Sequence, residues 1–311
     1  MDRNSPYYKQ VALLIRCLPF AAEETCFALK GGTAINLFVN NFPRLSVDID
    51  LVYLPLEPRK EALQNVHAAL ARIAERLNNS TSLNAILQDN KPDEMRIIVG
   101  TIGRAQDAAQ IKIEVSPVAR GTLHKANTCD IIEKVEDEFG FASIQMVSLP
   151  DLYGGKLCAA MDRQHPRDLF DVKILLQSRG VDREIFIGYL AYLLSHNRPI
   201  SEVMNPRWNN IGETFHKEFN GMTFEPITLE ELQNVPTSMV QSLKSQFKQS
   251  DFDFLLSFKS GDPDWSLAPH EQIQYLPAVQ WKLLNIQKMP AGKRQSALET
   301  LNKTMLSWLE G

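Results

Sequence analysis

Apolar residues recur at helical spacing over residues 6–20, and a short apolar stretch of strand length, Phe27–Lys30, follows. A helix is predicted to start at the glycine pair Gly31-Gly32, to carry Ala34, Ile35, Leu37 and Phe38, and to end by Pro43. Ser46–Leu54 reads as a strand. Arg59–Leu77 carries an alanine and leucine stripe of a long amphipathic helix, with Pro58 where a first turn tolerates proline. Three strand-like stretches come next: Ser82–Gln88, Met95–Ile102 and Ala109–Ser116. In the last, alternation sets Lys112 and Glu114 on one face and Ile111, Ile113 and Val115 on the other. A short strand near Ser143–Val147 leads into helices over Pro150–Asp162 and Pro166–Ser178. From Val181 onward the pattern is helical, with a loop-rich stretch at Asn197–Asn210 and breaks near Pro226, Pro236, Pro263 and Pro269. One or two helices close residues 281–311. No repeat or low-complexity segment interrupts this order.

These elements predict an α/β (α+β) chain: a mixed sheet flanked by helices over residues 1–145, then a mainly helical part over residues 146–311. A length of 311 residues, 44% hydrophobic and 23% charged, is ordinary for a globular protein with two packed parts. The formal net charge of −4 does not announce a nucleic-acid partner, so any such contact must use a local basic patch. Cys17, Cys26, Cys129 and Cys158 are scattered with no Cys-x-x-Cys pair, which argues against a disulfide framework or zinc site and fits a reducing compartment. The longest apolar stretch, Val11 to Ala22, is broken by Arg16 and Pro19, so no membrane span is expected. The first residues lack the layout of a signal peptide. Cytoplasm is the expected location.

Candidate chemistry centres on Asp48-Ile49-Asp50, sixteen residues after the glycine pair. Two carboxylates one residue apart on a strand point to the same face, and hard oxygen ligands suit Mg2+, with Mn2+ as the alternative. Glu114 sits on the polar face of another strand-like segment, so three acids from two segments are candidate metal ligands. Gly31-Gly32-Thr33 offers backbone N–H groups to a phosphate and the Thr33 hydroxyl as a donor, or else a simple capped turn. Arg44 and Ser46 share the acids' strand face by period two and are candidates for the triphosphate; an exposed ion pair is the other reading of Arg44. Lys156 and Arg163 lie on one face of a helix, and Arg167, Asp168 and Asp171 on the next. That group could hold a triphosphate and offset charge on the leaving pyrophosphate, or form a surface salt-bridge network. His165, before Pro166, reads as a solvated turn residue. Trp208, Trp265 and Trp281 read as packing residues, although Trp208 lies in a loop where it could stack on a base.

The order Lys30-Gly-Gly-Thr-Ala, Arg44-x-Ser-x-Asp-Ile-Asp-Leu, Ile-Lys-Ile-Glu114, Lys156 and Arg167-Asp168-x-x-Asp171 resembles the AbiEii/AbiGii (MenT-like) toxin nucleotidyltransferases of the DNA polymerase β-like superfamily. Asn197-Arg-Pro, Leu255-Leu-Ser-Phe, Pro263-x-Trp265 and Leu276-Pro-Ala-x-x-Trp281 extend it over nearly the whole chain. The resemblance implies a toxin of a toxin–antitoxin or abortive-infection pair, with an AbiEi-like antitoxin as partner. It implies transfer of NMP from an NTP to an RNA 3′ end, above all the tRNA acceptor, by a monomer that blocks translation. Nucleotidylation of a protein hydroxyl and a non-catalytic NTP-binding module stay open. By position, Asp48 and Asp50 match the metal-binding acids and Glu114 the acid of the second motif. Lys156 matches the nucleotide-contacting lysine, and Asp168 or Asp171 the last-motif aspartate. Where the superfamily at large has Gly-Ser and a shorter run to the acids, this chain has Gly-Gly-Thr and a longer one.

Overall fold

The computed structural model describes residues 5–80, 82–88, 95–102 and 108–310. The chain folds as two compact units. One comprises Met1–Ser148 with Gly221–Pro226, the other Leu149–Asn220 with Ile227–Gly311.

The first unit is built on a seven-stranded mixed sheet. Its strands are β1 (Phe27–Lys30), β2 (Asp48–Tyr53), β3 (Leu83–Gln88), β4 (Arg96–Thr101), β5 (Gln110–Val115), β6 (Asn127–Asp130) and β7 (Ser143–Met146), in the order β3-β4-β5-β2-β1-β7-β6. β2 pairs parallel with β5 and antiparallel with β1, so the acidic strand lies in the interior of the sheet. Helices α1 (Pro6–Ala22) and α3 (Arg59–Asn78) bury apolar stripes. In α3 the stripe is Ala62, Val66, Ala69, Leu70, Ile73, Ala74 and Leu77, the spacing that keeps one helix face apolar. The Glu24 carboxylate after α1 accepts hydrogen bonds from Arg72 (2.9 and 2.6 Å) and Arg76 (2.7 Å) of α3. A short helix α2 (Gly31–Ala34) runs directly into a π-helical turn over Ile35–Val39. Gly221–Pro226 joins this unit by pairing with the stretch before β2: Leu45 N donates to Met222 O at 2.8 Å and Phe224 N to Pro43 O at 3.2 Å.

The second unit contains helices α5 (Leu149–Arg163), α6 (Pro166–Ser178), α7 (Arg183–Ser195), α8 (Ile200–Met204), α10 (Leu229–Gln246), α11 (Gln249–Ser260), α12 (Pro277–Gln287) and α13 (Ala291–Leu309), with a short turn α9 (Gly212–Thr214). Glycines let α5 and α7 touch backbone to backbone: a Cβ on Gly154 would lie 2.2 Å from the Gly188 carbonyl carbon, and one on Gly188 2.1 Å from Pro150 O. Lys282 of α12 caps the end of α7, its ammonium donating to the carbonyls of Leu193, His196 and Arg198 at 3.1, 2.8 and 3.0 Å.

The mixed sheet followed by helices agrees with the sequence pattern, and Phe27–Lys30 and Pro166–Ser178 coincide with the predicted spans. Three details differ. β2 begins at Asp48 rather than Ser46, so Arg44 and Ser46 precede the strand. The expected break at Pro236 does not occur: α10 passes through it, started by a capping box between Thr228 and Glu231. Trp281 is 57% exposed instead of packed, whereas Trp265 does pack, against Phe254 and Phe258. An unpredicted helix, α4 (Glu133–Phe139), and the edge strand β6 complete the first unit.

Candidate active site

Strand register gathers the acids of the first unit. Asp50 lies opposite Glu114 and Asp48 opposite Lys112 along the β2–β5 pair. Glu114 faces Arg96 on β4, and Asp50 faces Lys30 on β1. A single cross-sheet row therefore reads Arg96, Glu114, Asp50, Lys30, with two acids flanked by two cations. Asp48, Asp50 and Glu114 are all half-buried, open to water on one side. Arg96 stands 3.8 Å from Glu114 and also donates to Gln88 at 2.6 Å. Among the described residues, no three His, Cys, Asp or Glu side chains are drawn together into a metal-holding group.

The turn beside these acids requires glycine twice. Gly31 has φ +75°, and a Cβ there would lie 2.4 Å from Asp50 Oδ2. A Cβ on Gly32 would lie 2.7 Å from Arg44 Nη2 and 2.9 Å from Ser46 Oγ. The backbone thus runs against a carboxylate at one glycine and a guanidinium at the next. Arg44 is buried and donates to Leu45 O at 2.7 Å, so it is an interior cation and not a surface ion pair. Thr33 donates its hydroxyl to the Asp48 carbonyl at 2.6 Å and lies 3.0 Å from the Ser46 hydroxyl. That hydroxyl ties the glycine turn to the start of the acidic strand. Lys30, the residue at the helix cap position, makes no side-chain cap bond.

In the second unit, α5 and α6 close around a largely buried ion cluster. Lys156 Nζ lies 2.9 Å from Asp168 Oδ1 and 2.9 Å from Asp171 Oδ2, with all three side chains buried. Arg163 adds a two-pronged contact to Asp168, at 2.6 and 3.0 Å, from a largely exposed position. Burial pushes the Asp168 carboxyl up, but the Lys156 ammonium and Arg163 guanidinium outweigh it and hold the carboxyl well below the usual range. Two cations and two anions make the cluster neutral in sum. Arg167 is half-buried, and its side chain makes no hydrogen bond or ion pair among the described residues. His165 caps α6, accepting from Arg167 N at 3.1 Å, with Glu218 at 3.1 Å on its other nitrogen. Burial lowers its pKa against the raising effect of Glu218.

The family described as nucleotidyl transferase AbiEii toxin, type IV toxin–antitoxin system, matches residues 12–285. The chain belongs to that family. As an AbiEii-family member it is a nucleotidyltransferase of a toxin–antitoxin system, which implies an NTP substrate and an antitoxin partner. Among solved structures, MenT4, a nucleotidyltransferase toxin of Mycobacterium tuberculosis H37Rv, aligns with a TM-score of 0.61 and 13% identity, over 96% of this chain and 94% of that one. At that identity the likeness carries the fold alone. No curated protein matches the chain in sequence. No helix among the described residues is long and apolar enough to cross a membrane.

Two residues of the first unit are not marked as site candidates by the sequence, Lys30 and Arg96. Both become visible only through cross-strand register, although Lys30 adjoins the glycine pair. The pairing of Lys156 with Asp168 and Asp171 also joins residues on two different helices, which local spacing does not encode.

Proposed function

We propose that this AbiEii-family enzyme transfers a nucleotidyl group from an NTP to the 3′ hydroxyl of an RNA, the tRNA acceptor end, and so blocks translation. Asp48 and Asp50 hold Mg2+, or Mn2+ in its place, and Glu114 supports them from the neighbouring strand. The observation that carries this reading is the Asp50–Glu114 row running beside Gly31, where Asp50 Oδ2 occupies the space a side chain would need. The donor set fits the metal: all ligands are hard oxygens, half-open to water, and Mg2+ in triphosphate sites uses one or two carboxylates with phosphate and water completing its shell. A closed three-carboxylate cage is not required. A divalent ion held by Asp48 and Asp50 would supply positive charge to the triphosphate and acidify the attacking hydroxyl.

The chain's own residues do the rest. Gly31 and Gly32 let the backbone approach a phosphate, and Thr33 keeps the turn in register with Asp48. Buried Arg44 sets a positive charge beneath Gly32, and Ser46 lies next to it. Within the helical unit, Arg163 and Arg167 are the cations assigned to phosphate. Lys156 acts through Asp168 and Asp171 as a positioning residue, because its ammonium is buried between two carboxylates. An AbiEi-like antitoxin, a monomeric enzyme and a cytoplasmic location complete the proposal.

The test is incubation with each of the four radiolabelled NTPs, first with total tRNA and then with total protein. The expected result is label in RNA together with pyrophosphate release, both abolished by Asp48→Ala. Label in protein instead would overturn the RNA acceptor, and full activity of Asp48→Ala would overturn the metal assignment.

A further inference from the structure

Within the helical unit, a cleft of about 430 Å3 opens between α10, α13 and the loop joining α8 to α9. Its floor is apolar, formed by Leu169, Met204, Val240 and Trp308. Its rim is mostly uncharged and polar, with Asn205, Asn209, Gln233 and Thr237; Lys244 also lines the cleft, its ammonium donating to Ser307 O at 2.6 Å. Those four rim side chains are exposed and make no side-chain hydrogen bond among the described residues. Trp208 stands at the same rim, 38% exposed. Pro236, also in the wall, has no N–H, so the helical bond that Leu232 O would accept from it is absent.

The tryptophan is held in place from behind. Gln164 is 4% exposed and carries a positive φ of 54°, a conformation that costs energy for a non-glycine residue. Its amide donates to Arg207 O at 3.0 Å and accepts from Asn209 N at 2.7 Å. One buried side chain, on a backbone held at positive φ, thus grips the backbone on both sides of Trp208. Arg207, next to Trp208, is exposed, and its side chain is likewise without a hydrogen bond or ion pair among the described residues.

We propose that this loop and cleft take an unstacked base at the single-stranded 3′ end of the acceptor RNA, an assignment that rests on the RNA reading above. Trp208 supplies the stacking face, the amide rim reads the base edge, and Arg207 meets the neighbouring phosphate. Gln164 is a positioning residue: it fixes the loop and does not touch the base. A flat aromatic face, uncommitted amides, Arg207 beside the tryptophan and Lys244 in the wall suit a base and its phosphate. A basic stripe, as a duplex would demand, is not part of this surface.

The experiment is an anisotropy titration of the full-length protein with a short, unstructured, fluorescein-labelled RNA, and with the same strand annealed into a blunt duplex. KM for NTP and for RNA are measured in parallel. The wild type is expected to prefer the single strand. Trp208→Ala is expected to lose roughly tenfold or more in affinity for it, with Trp208→Phe retaining most of the binding. Gln164→Glu, which keeps the acceptor to Asn209 and loses the donor to Arg207, should weaken RNA binding while leaving KM for NTP unchanged. If RNA is labelled yet Trp208→Ala binds the single strand as the wild type does, this assignment is overturned and the acceptor reading stands. Absence of any preference for the single strand overturns it equally. Label appearing only in protein defeats the acceptor reading, and wild-type failure to bind the oligonucleotide then defeats this one by its own measurement.

Discussion

Each unit brings two carboxylates close to one another, and each treats them differently. Asp50 and Glu114 face each other across parallel strands, half-open to water, with Lys30 and Arg96 only at the ends of the row. Asp168 and Asp171 are shut away from water, and both are met at 2.9 Å by the single ammonium of Lys156. The helical cluster pairs its buried charges with one another, with the largely exposed Arg163 at its edge. The sheet row leaves like charges opposed, an arrangement that costs stability and that a bound cation would relieve. An ion group of the first kind holds a structure together, and one of the second kind waits for something else.

Substituting one member of each pair gives the sharpest separation. Asp50→Asn is expected to cut nucleotidyl transfer by about 10³-fold or more, while its stability stays unchanged or rises by up to about 1 kcal/mol as the opposed charge disappears. Lys156→Met leaves two buried carboxylates uncompensated and is expected to cost about 3–5 kcal/mol. Denaturant titration beside a transfer assay reads both. If Lys156→Met were as stable as the wild type, the helical cluster would not be the structural device described here; if Asp50→Asn unfolded the protein, the sheet row would be.

The two groups also part on acidification. Lys156 and Arg163 hold the Asp168 carboxyl below its usual range when folded. A depressed folded-state pKa contributes stability that is fully present above the unfolded value, about 3.9, and is lost as pH falls through the folded one. Stability should therefore be insensitive to this group at neutral pH and fall below about pH 4. In Asp168→Asn, less stable throughout, the fall should be shallower. An equally steep acid limb in that variant, followed by circular dichroism, would remove Asp168 from the account.

What could be read in the chain beforehand follows from how local each cause is. β1 and α6 are marked by an apolar run and by a proline at the first helical position, both local signals. β6 and α4 carried none: β6 is an edge strand with no buried residue, and α4 buries Val135 alone, so neither alternation nor a stripe exists to detect. Pro236 misled because α10 buries Leu232, Val235, Met239 and Leu243 on one face, and that packing outweighs a lost hydrogen bond. Asp48, Asp50 and Glu114 were legible because period two governs any strand. That Asp50 meets Glu114 and Lys30 depends on register, and that Lys156 meets Asp168 depends on how α5 lies against α6. Both are tertiary facts.

The smallest effect concerns the joint between glycine turn and acidic strand. Thr33 is buried, and its hydroxyl donates to the Asp48 carbonyl at 2.6 Å beside Ser46 Oγ at 3.0 Å. Thr33→Val keeps the shape and removes the donor, so it should cost about 1 kcal/mol of stability. Thr33→Ser restores the hydroxyl and should recover most of that loss. If Thr33 serves only the fold, transfer by Thr33→Val will match the wild type once the protein is folded. If the bond also sets where Asp48 stands relative to Gly31, kcat should fall several-fold while KM for the RNA acceptor holds, because the acids would be misplaced without any acceptor contact being lost. The kcat split between Thr33→Val and Thr33→Ser therefore measures how far the open acids of the sheet depend on a buried hydroxyl for their aim.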